Sequence, residues 1–394
     1  MDSRIEAALG SLVDANRFER LVVSVAALVF AVFLGGIIVL VSGTVAECRQ
    51  AAFVLAGIEF CYNPFEVYWT MLVGAFGSAS NVGLMLRETT LLIFTGLSVA
   101  VAFRAGLFNI GTQGQMVLGA LGAALTVIWV APFVPESLLG ALLIVPLSVV
   151  VGAIIGGIWG MLPGMMKAYA GAHEVITTIM LNFIAIGISV YLVQNHVGDL
   201  ATDTVQTHSI PTFARLSPTV GGTRFSVVAL VFGLLLAAGV YLLYTRTVLG
   251  YDLRTSGLQP EAAEYAGVNA ERNIVTSMTI SGALGGVAGS IYVLMVLYRW
   301  QSGMPPLGFD GIAVAILAGN NPVGVIPASL LFGVLKAGAV EIDFALGVPN
   351  ELIEALRGFI ILFVAMPEFF RMIGGRYGYG SDPSLATDGG DSDE

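Results

Sequence analysis

Long apolar runs alternate with short polar links along almost the whole chain. Leu21–Ser42 holds 22 residues without a charge, enough to cross a hydrocarbon core about 30 Å thick. Further runs follow at Thr89–Phe103, Gln115–Val130, Leu138–Leu162, Glu174–Val193, Phe225–Tyr244 and Asn273–Tyr298. Val323–Val340 and Glu351–Met366 close the series. Gly308–Ala318 is also apolar but, at 11 residues, too short to cross alone. The pattern predicts an all-α, polytopic helix bundle of about ten membrane segments, some of them broken or re-entrant. Arg4, Arg17 and Arg20 precede the first span, and Arg371 and Arg376 follow the last, which sets both termini in the cytoplasm. A cleaved signal peptide fits Leu21–Ser42 less well, because its apolar core is usually about 7–15 residues.

One stretch breaks the pattern. Arg104–Leu121, RAGLFNIGTQGQMVLGAL, sets Asn109, Thr112, Gln113 and Gln115 where a membrane favours Leu and Val, and loosens the backbone with Gly106, Gly111 and Gly114. In lipid, freed peptide groups and amides must be satisfied by protein or by a water-filled cavity. The stretch is therefore expected to be a broken or re-entrant helix beside a polar path. The competing reading is an ordinary cytoplasmic loop leading into a helix. A weak echo, GFDGIAVAILAG, recurs in the second half beside FNIGTQGQMVLGA in the first. The polar border of the path is expected at Asn109, Gln113, Gln115, Glu174, Asn182 and Asp310, with the rings of Phe108 and Phe309.

The links carry their own signals. Gly152, Gly156, Gly160 and Gly164 recur every four residues, so they stack on one helical face and predict a close helix–helix contact. Thr44–Arg87 and Gln194–Arg224 are expected outside, with Tyr68–Phe76 as a short surface helix, and Met165–His173 is a short hydrophilic link. Thr245–Arg272 carries Arg246, Arg254 and Arg272 and is expected to be cytoplasmic. Within it LQPEAAEYAG reads as a short helix over Leu258–Ala266, with Pro260 in its first turn, Glu261 at its positive end and Gly267 as its stop. Lys336, Glu341 and Asp343 are costly in lipid and are expected to face the interior or the outer interface, with Lys336 paired to one of the two acids. Residues 1–20 form the cytoplasmic N-terminal segment and 21–370 the membrane domain. Residues 374–394, rich in Gly, Ser and Asp, form a tail expected to be disordered.

Composition narrows the class. Only 11% of residues are charged and mean hydropathy is +0.87, against about 25% charged residues in soluble domains. A net charge of −10 gives no basic surface for nucleic acid. The 15 arginines against two lysines, Lys167 and Lys336, are a weak hint of a high-salt cytoplasm. Cys48 and Cys61 share one polar segment and fit either a disulfide or two thiols. There is no GxxxxGK[ST] phosphate loop, and His173-Glu174 is not HExxH because position 177 is Thr. The three histidines are scattered without metal spacing. No cofactor, metal or catalytic constellation is expected, and the chain reads as a non-enzyme.

Four motifs in fixed order carry a resemblance: AFRAGLFNIGTQGQMVLGA, GAHEVITTIMLNFIA, GLQPEAAEYAGVNAERN and GFDGIAVAILAGNNPVGV. Together they resemble the permease subunit of bacterial and archaeal ABC importers, over roughly Tyr68 to Phe370. The likeness is strongest to the branch for nucleosides and simple sugars, sister to ribose and branched-chain amino-acid permeases. The resemblance implies a multi-pass plasma-membrane permease paired with a second, similar permease. It also implies separate cytoplasmic ATPase subunits and an external binding protein, often a lipoprotein. Glu261, Ala262, Ala263 and Gly267 fit the EAA-three-residues-Gly signature of the ATPase-docking loop, although Ser277 departs from its later part. The resemblance thus assigns Leu258, Pro260, Glu261, Ala262, Ala263, Tyr265 and Gly267 to ATPase coupling. It does not choose between nucleoside, pentose and hexose. The alternative is an ion-coupled secondary transporter, for which Asp310 would be the buried acid.

Overall fold

In a computed structural model the described residues are 17–46, 51–55, 57–199, 202–349, 351–355, 358, 359 and 362, with side chains omitted for 17–28 and Pro260. Arg4, Cys48, the 374–394 tail, Arg371, Arg376 and most of Glu351–Met366 lie outside them. The chain forms two units, Met1–Glu66 with Val348–Glu394, and Val67–Gly347.

In the first unit, α1 spans Arg17–Val45 and covers the first expected span. A hairpin follows, β1 Phe53–Leu55 and β2 Ile58–Phe60, with Phe53 opposite Phe60 and their rings stacked at 4.8 Å. The Cys61 amide donates to the Gly43 carbonyl at 2.9 Å, which ties the hairpin back to α1. Cys61 is in a disulfide.

The second unit is a helix bundle. Its helices are α2 Pro64–Phe76, which begins just before the unit boundary, α3 Ala79–Arg104, α4 Thr112–Val130, α5 Leu138–Ala170 and α6 Glu174–Leu192. They continue as α7 Val227–Arg246, α8 Val248–Leu258, α9 Pro260–Tyr265, α10 Ala270–Tyr292, α11 Leu307–Leu317 and α12 Val325–Leu346. Among the described residues seven helices are long and apolar enough to cross a membrane, and Val29–Val45 and Leu307–Leu317 are shorter apolar helices. The protein is a multi-pass membrane protein, and its described residues are mainly helical.

The expected boundaries shift for identifiable reasons. The helix expected from Thr89 begins at Ala79, because Ser78 caps it by accepting the Asn81 amide at 3.1 Å. The link expected over Met165–His173 is helical as far as Ala170, where Gly171 takes a left-handed φ of 65°. Lys167 therefore stands on the last turn of α5, where it complements the negative helix end.

Burial sorts the bundle into layers. The inner helices α3, α4 and α10 are mostly buried, whereas α5, α6 and α7 expose most of their length. The glycine face of α5 meets α10 as expected: a Cβ on Gly156 would run into the Gly282 and Gly286 backbones, and one on Gly160 into Met278 and Gly282. Small residues let two backbones approach this closely, which is how membrane helices gain packing energy without a hydrophobic driving force. α2 is not a free surface helix, since its Gly74 lies against Gly338 and Glu341 of α12. Burial pushes the Tyr68 phenol on α2 up to about 12. The connection between α6 and α7 is pinned by Arg215 and Arg224, whose guanidinium groups sit 4.6 and 5.2 Å from the Tyr298 ring centre.

Candidate functional site: a broken helix and its amides

The α3 helix ends by a glycine closure. The Leu107 amide donates to Ala102 O and the Gly106 amide to Phe103 O, both at 3.0 Å, with Gly106 at φ 71°. This is the Schellman pattern, in which a left-handed glycine satisfies the last carbonyls. The chain then doubles back along α3. The Ser98 and Thr112 hydroxyls meet at 3.2 Å, although Ser98 lies six residues before the end of α3. Six helical residues span about 9 Å, so α4 starts at that depth beside α3.

A second break uses the same device. At the end of α11, Asn320 donates to Ala315 O and Gly319 to Ile316 O, both at 2.9 Å, with Gly319 at φ 58°. Each break then runs five residues to another glycine: Ala105-Gly106 to Gly111, and Ala318-Gly319 to Gly324. In each an asparagine carboxamide accepts from the amide two residues on, Asn109 from Gly111 at 3.0 Å and Asn321 from Val323 at 3.1 Å. The sequence echo had set Phe108–Ala120 beside Gly308–Gly319. The two breaks share these cap features in a register different from that echo.

Four of the expected site residues come together around the first break, and each amide has protein partners. Asn109 and Gln115 exchange two hydrogen bonds, 2.9 Å from Asn109 Nδ2 to Gln115 Oε1 and 3.1 Å from Gln115 Nε2 to Asn109 Oδ1. Asn109 Nδ2 also donates to the Ser281 hydroxyl of α10 at 2.7 Å. Asn182 of α6 accepts from the Gly114 amide at 2.8 Å and donates to Ile110 O at 2.9 Å. Gly111 brings no side-chain cap to α4, so Asn182 satisfies one of the orphan amides of its first turn. Gln113 does the same for α11: its Oε1 accepts the Gly308 amide at 2.8 Å and its Nε2 donates to Pro305 O at 3.1 Å.

Gln113 also lines a cavity. It measures about 80 Å³ and is bordered by Val117, Ile186, Val190, Trp300 and Met304. Pockets that hold drug-sized ligands run to about 300–1,000 Å³. The cavity therefore has room for several waters and is too small for a drug-sized solute. Trp300 is fully buried and donates its indole N–H to Val117 O at 3.1 Å. Sequence reasoning missed Trp300, which lies just beyond the Asn273–Tyr298 run, and Ser281, one of several serines within it.

The remaining expected residues are dispersed. Phe108 and Phe309 are about half exposed, at 51% and 44%. Glu174 sits two helical turns before Asn182 and pairs with Lys167 at 2.9 Å. Asp310 pairs with Lys336 at 2.7 Å, and Lys336 reaches Glu88 of α3 at 3.7 Å. Glu88 in turn holds Arg87 at 2.8 Å. The partner expected for Lys336, Glu341 or Asp343, is thus replaced by Asp310 and Glu88. Those acids come from neighbouring helices, whereas Asp343 lies two turns further along α12.

The expected docking helix is shorter than its sequence suggests. Gln259 is extended at φ −147° and separates α8 from the six residues of α9. Gly267, at φ 82°, ends α9 by the same closure as Gly106: Val268 donates to Ala263 O and Gly267 to Glu264 O, both at 2.9 Å. Ala263 is buried, while Glu261, Ala262 and Tyr265 face outward and Leu258 is 83% exposed.

The family described as the branched-chain amino acid transport system permease component matches residues 81–365. The guanosine ABC transporter permease protein NupP of Bacillus subtilis is 35% identical over 92% of this chain and 97% of its own. The nucleoside ABC transporter permease protein NupB of Lactococcus lactis is 34% identical over 89% of this chain and 92% of its own. The glucose ABC transporter permease protein TsgB13 of Haloferax volcanii is 30% identical over 84% of this chain and 88% of its own. No solved structure matches the chain significantly.

Proposed function

The chain belongs to the family of branched-chain amino acid transport system permease components, and from that premise we propose that it is a translocating subunit of an ABC importer for nucleosides. The observation that carries the substrate is the 34–35% identity to nucleoside and guanosine permease proteins along about nine-tenths of the chain. Residues 21–370 form the translocating body, with ten membrane segments and both ends on the cytoplasmic side of the plasma membrane. The 245–272 connection is the coupling loop. A second permease subunit completes the path, separate ATPase subunits hydrolyse ATP, and an external binding protein delivers the solute.

Gln113 borders the path, because it lines the cavity and keeps one amide N–H beyond its two protein contacts. Asn109, Gln115 and Asn182 hold the break in shape from behind. Exposed Glu261, Ala262 and Tyr265 meet the ATPase, and closure of the ATPase dimer tilts the helices to alternate access. Asp310 is neutralised by Lys336, which argues against a proton- or sodium-coupled transporter.

The test is uptake of labelled guanosine and of labelled glucose by cells expressing the chain with its second permease, ATPase and binding protein. Guanosine uptake that ceases when the ATPase is inactivated is the expected result. Glucose taken up in preference overturns the substrate, and uptake indifferent to the ATPase overturns the ABC mechanism. Glu261→Lys probes docking: the purified complex is expected to lose its ATPase subunits or its coupling.

A further inference from the structure

The last turn of α8 rests on the first break. A Cβ at Gly257 would stand 2.5 Å from the Ala105 carbonyl carbon and 2.8 Å from the Gly106 nitrogen, and a Cβ at Gly106 would stand 2.7 Å from the Gly257 oxygen. Real Cβ contacts do not come so close, so backbone meets backbone here with no side chain to cushion it. Both ends of α8 are fixed to the same region. Next to Gly257, Ser256 accepts from Asn273 Nδ2 of α10 at 2.7 Å in a buried contact. Just before α8 begins, the buried Tyr244 hydroxyl donates to Val101 O of α3 at 2.9 Å, and Arg104 lies 5.2 Å from the same ring.

Gly257 is two residues from Gln259, the extended residue that precedes α9, and Gly106 is three residues from Asn109, the hub of the amide cluster. A rigid backbone contact therefore lies on the route from α9 to the amides. We infer that Gly257 and Gly106 form the joint through which movement of the docking helix reaches the broken segment, which makes Gly257 a positioning residue for transport. This rests on the ATPase-docking reading of α9.

The test compares Gly257→Ala with wild type in the complete transporter, reading three quantities: ATPase subunits retained on purification, ATP hydrolysed, and guanosine imported per ATP. A methyl at Gly257 spreads the joint, since Ala105 can give way only by shifting backbone. The ATPase is expected to stay bound and to hydrolyse ATP, while import per ATP falls at least roughly fivefold, the lower end for coupling between distant sites. Import per ATP at the wild-type ratio overturns the joint. If Gly257→Ala does not assemble, Ser256→Ala decides. It removes the bond to Asn273 without adding bulk and is expected to lower the same ratio; an unchanged ratio again overturns the proposal. Failure of the docking reading looks different, because Glu261→Lys would then keep its ATPase and its full coupling.

Discussion

Asn109 and Gln115 face each other amide to amide and satisfy each other in both directions, at 2.9 and 3.1 Å. Both are buried, at 0% and 1% exposure, so neither has water to fall back on. The pair fastens the returning chain to the first turn of α4, and through Ser281 to α10.

Replacing Gln115 leaves the Asn109 carboxamide only its bonds to Ser281 and the Gly111 amide. Gln115→Leu leaves two Asn109 bonds unmade, and each buried polar group left unsatisfied costs about 1–3 kcal/mol. Asn109→Leu costs more, because Ser281 and the Gly111 amide lose a partner as well. The double variant is expected to cost less than the sum of the singles. Thermal denaturation of the four purified proteins measures the coupling, and strict additivity would show that the two amides act independently.

Gln113 probes the path rather than the scaffold. Gln113→Leu removes the cap on Gly308 and the one expected path amide that reaches the cavity. Expression is expected to hold while guanosine uptake falls severalfold. Gln113→Glu should fare worse, since a carboxylate cannot donate to Pro305 O and has to lose its hydration. Uptake at the wild-type rate in a well-expressed Gln113→Leu would remove this residue from the path.

The ion cluster ties three helices. Lys336 of α12 neutralises Asp310 of α11 and leans on Glu88 of α3, with side-chain exposures of 13%, 17% and 15%. Lys336→Met leaves two carboxylates close together without that cation, and breaking a buried pair costs about 3–5 kcal/mol. Partial exposure puts the expected loss toward the lower figure. Adding Asp310→Asn to Lys336→Met should restore part of it. Melting temperatures of the single and double variants provide the comparison.

The glycine face gives a positional contrast. Gly156→Val drives a branched side chain into the Gly282 and Gly286 backbones and is expected to abolish assembly. Gly187→Ala on α6 meets nothing within 4 Å and is expected to be silent. Size-exclusion profiles of the two detergent-solubilised variants separate them.

Much of this was legible in the residues, and the failures have physical causes. Apolar length marks the spans, and glycines four apart mark the face between α5 and α10, because both signals are periodic along one helix. The break at Gly106 announces itself by amides in an apolar run. Partners from distant segments do not announce themselves: Lys336 could have met any nearby acid, and only the packing of α3, α11 and α12 selects Asp310 and Glu88. The amides at 109, 113, 115 and 182 were visible as polar residues. Whether each faces solute or protein depends on side-chain direction, and that is set by the fold. The likeness of the two breaks is written in helix caps, where residue identity counts for less than backbone sign.

Where α5 lies on α10, main chain abuts main chain over Gly152, Gly156 and Gly160. Interlocked ribs of this kind have no pliable layer to slide on, and separating them would open a void that lipid tails fill poorly. Any relative shift of α5 and α10 would have to displace main chain, whereas contacts padded by side chains can repack.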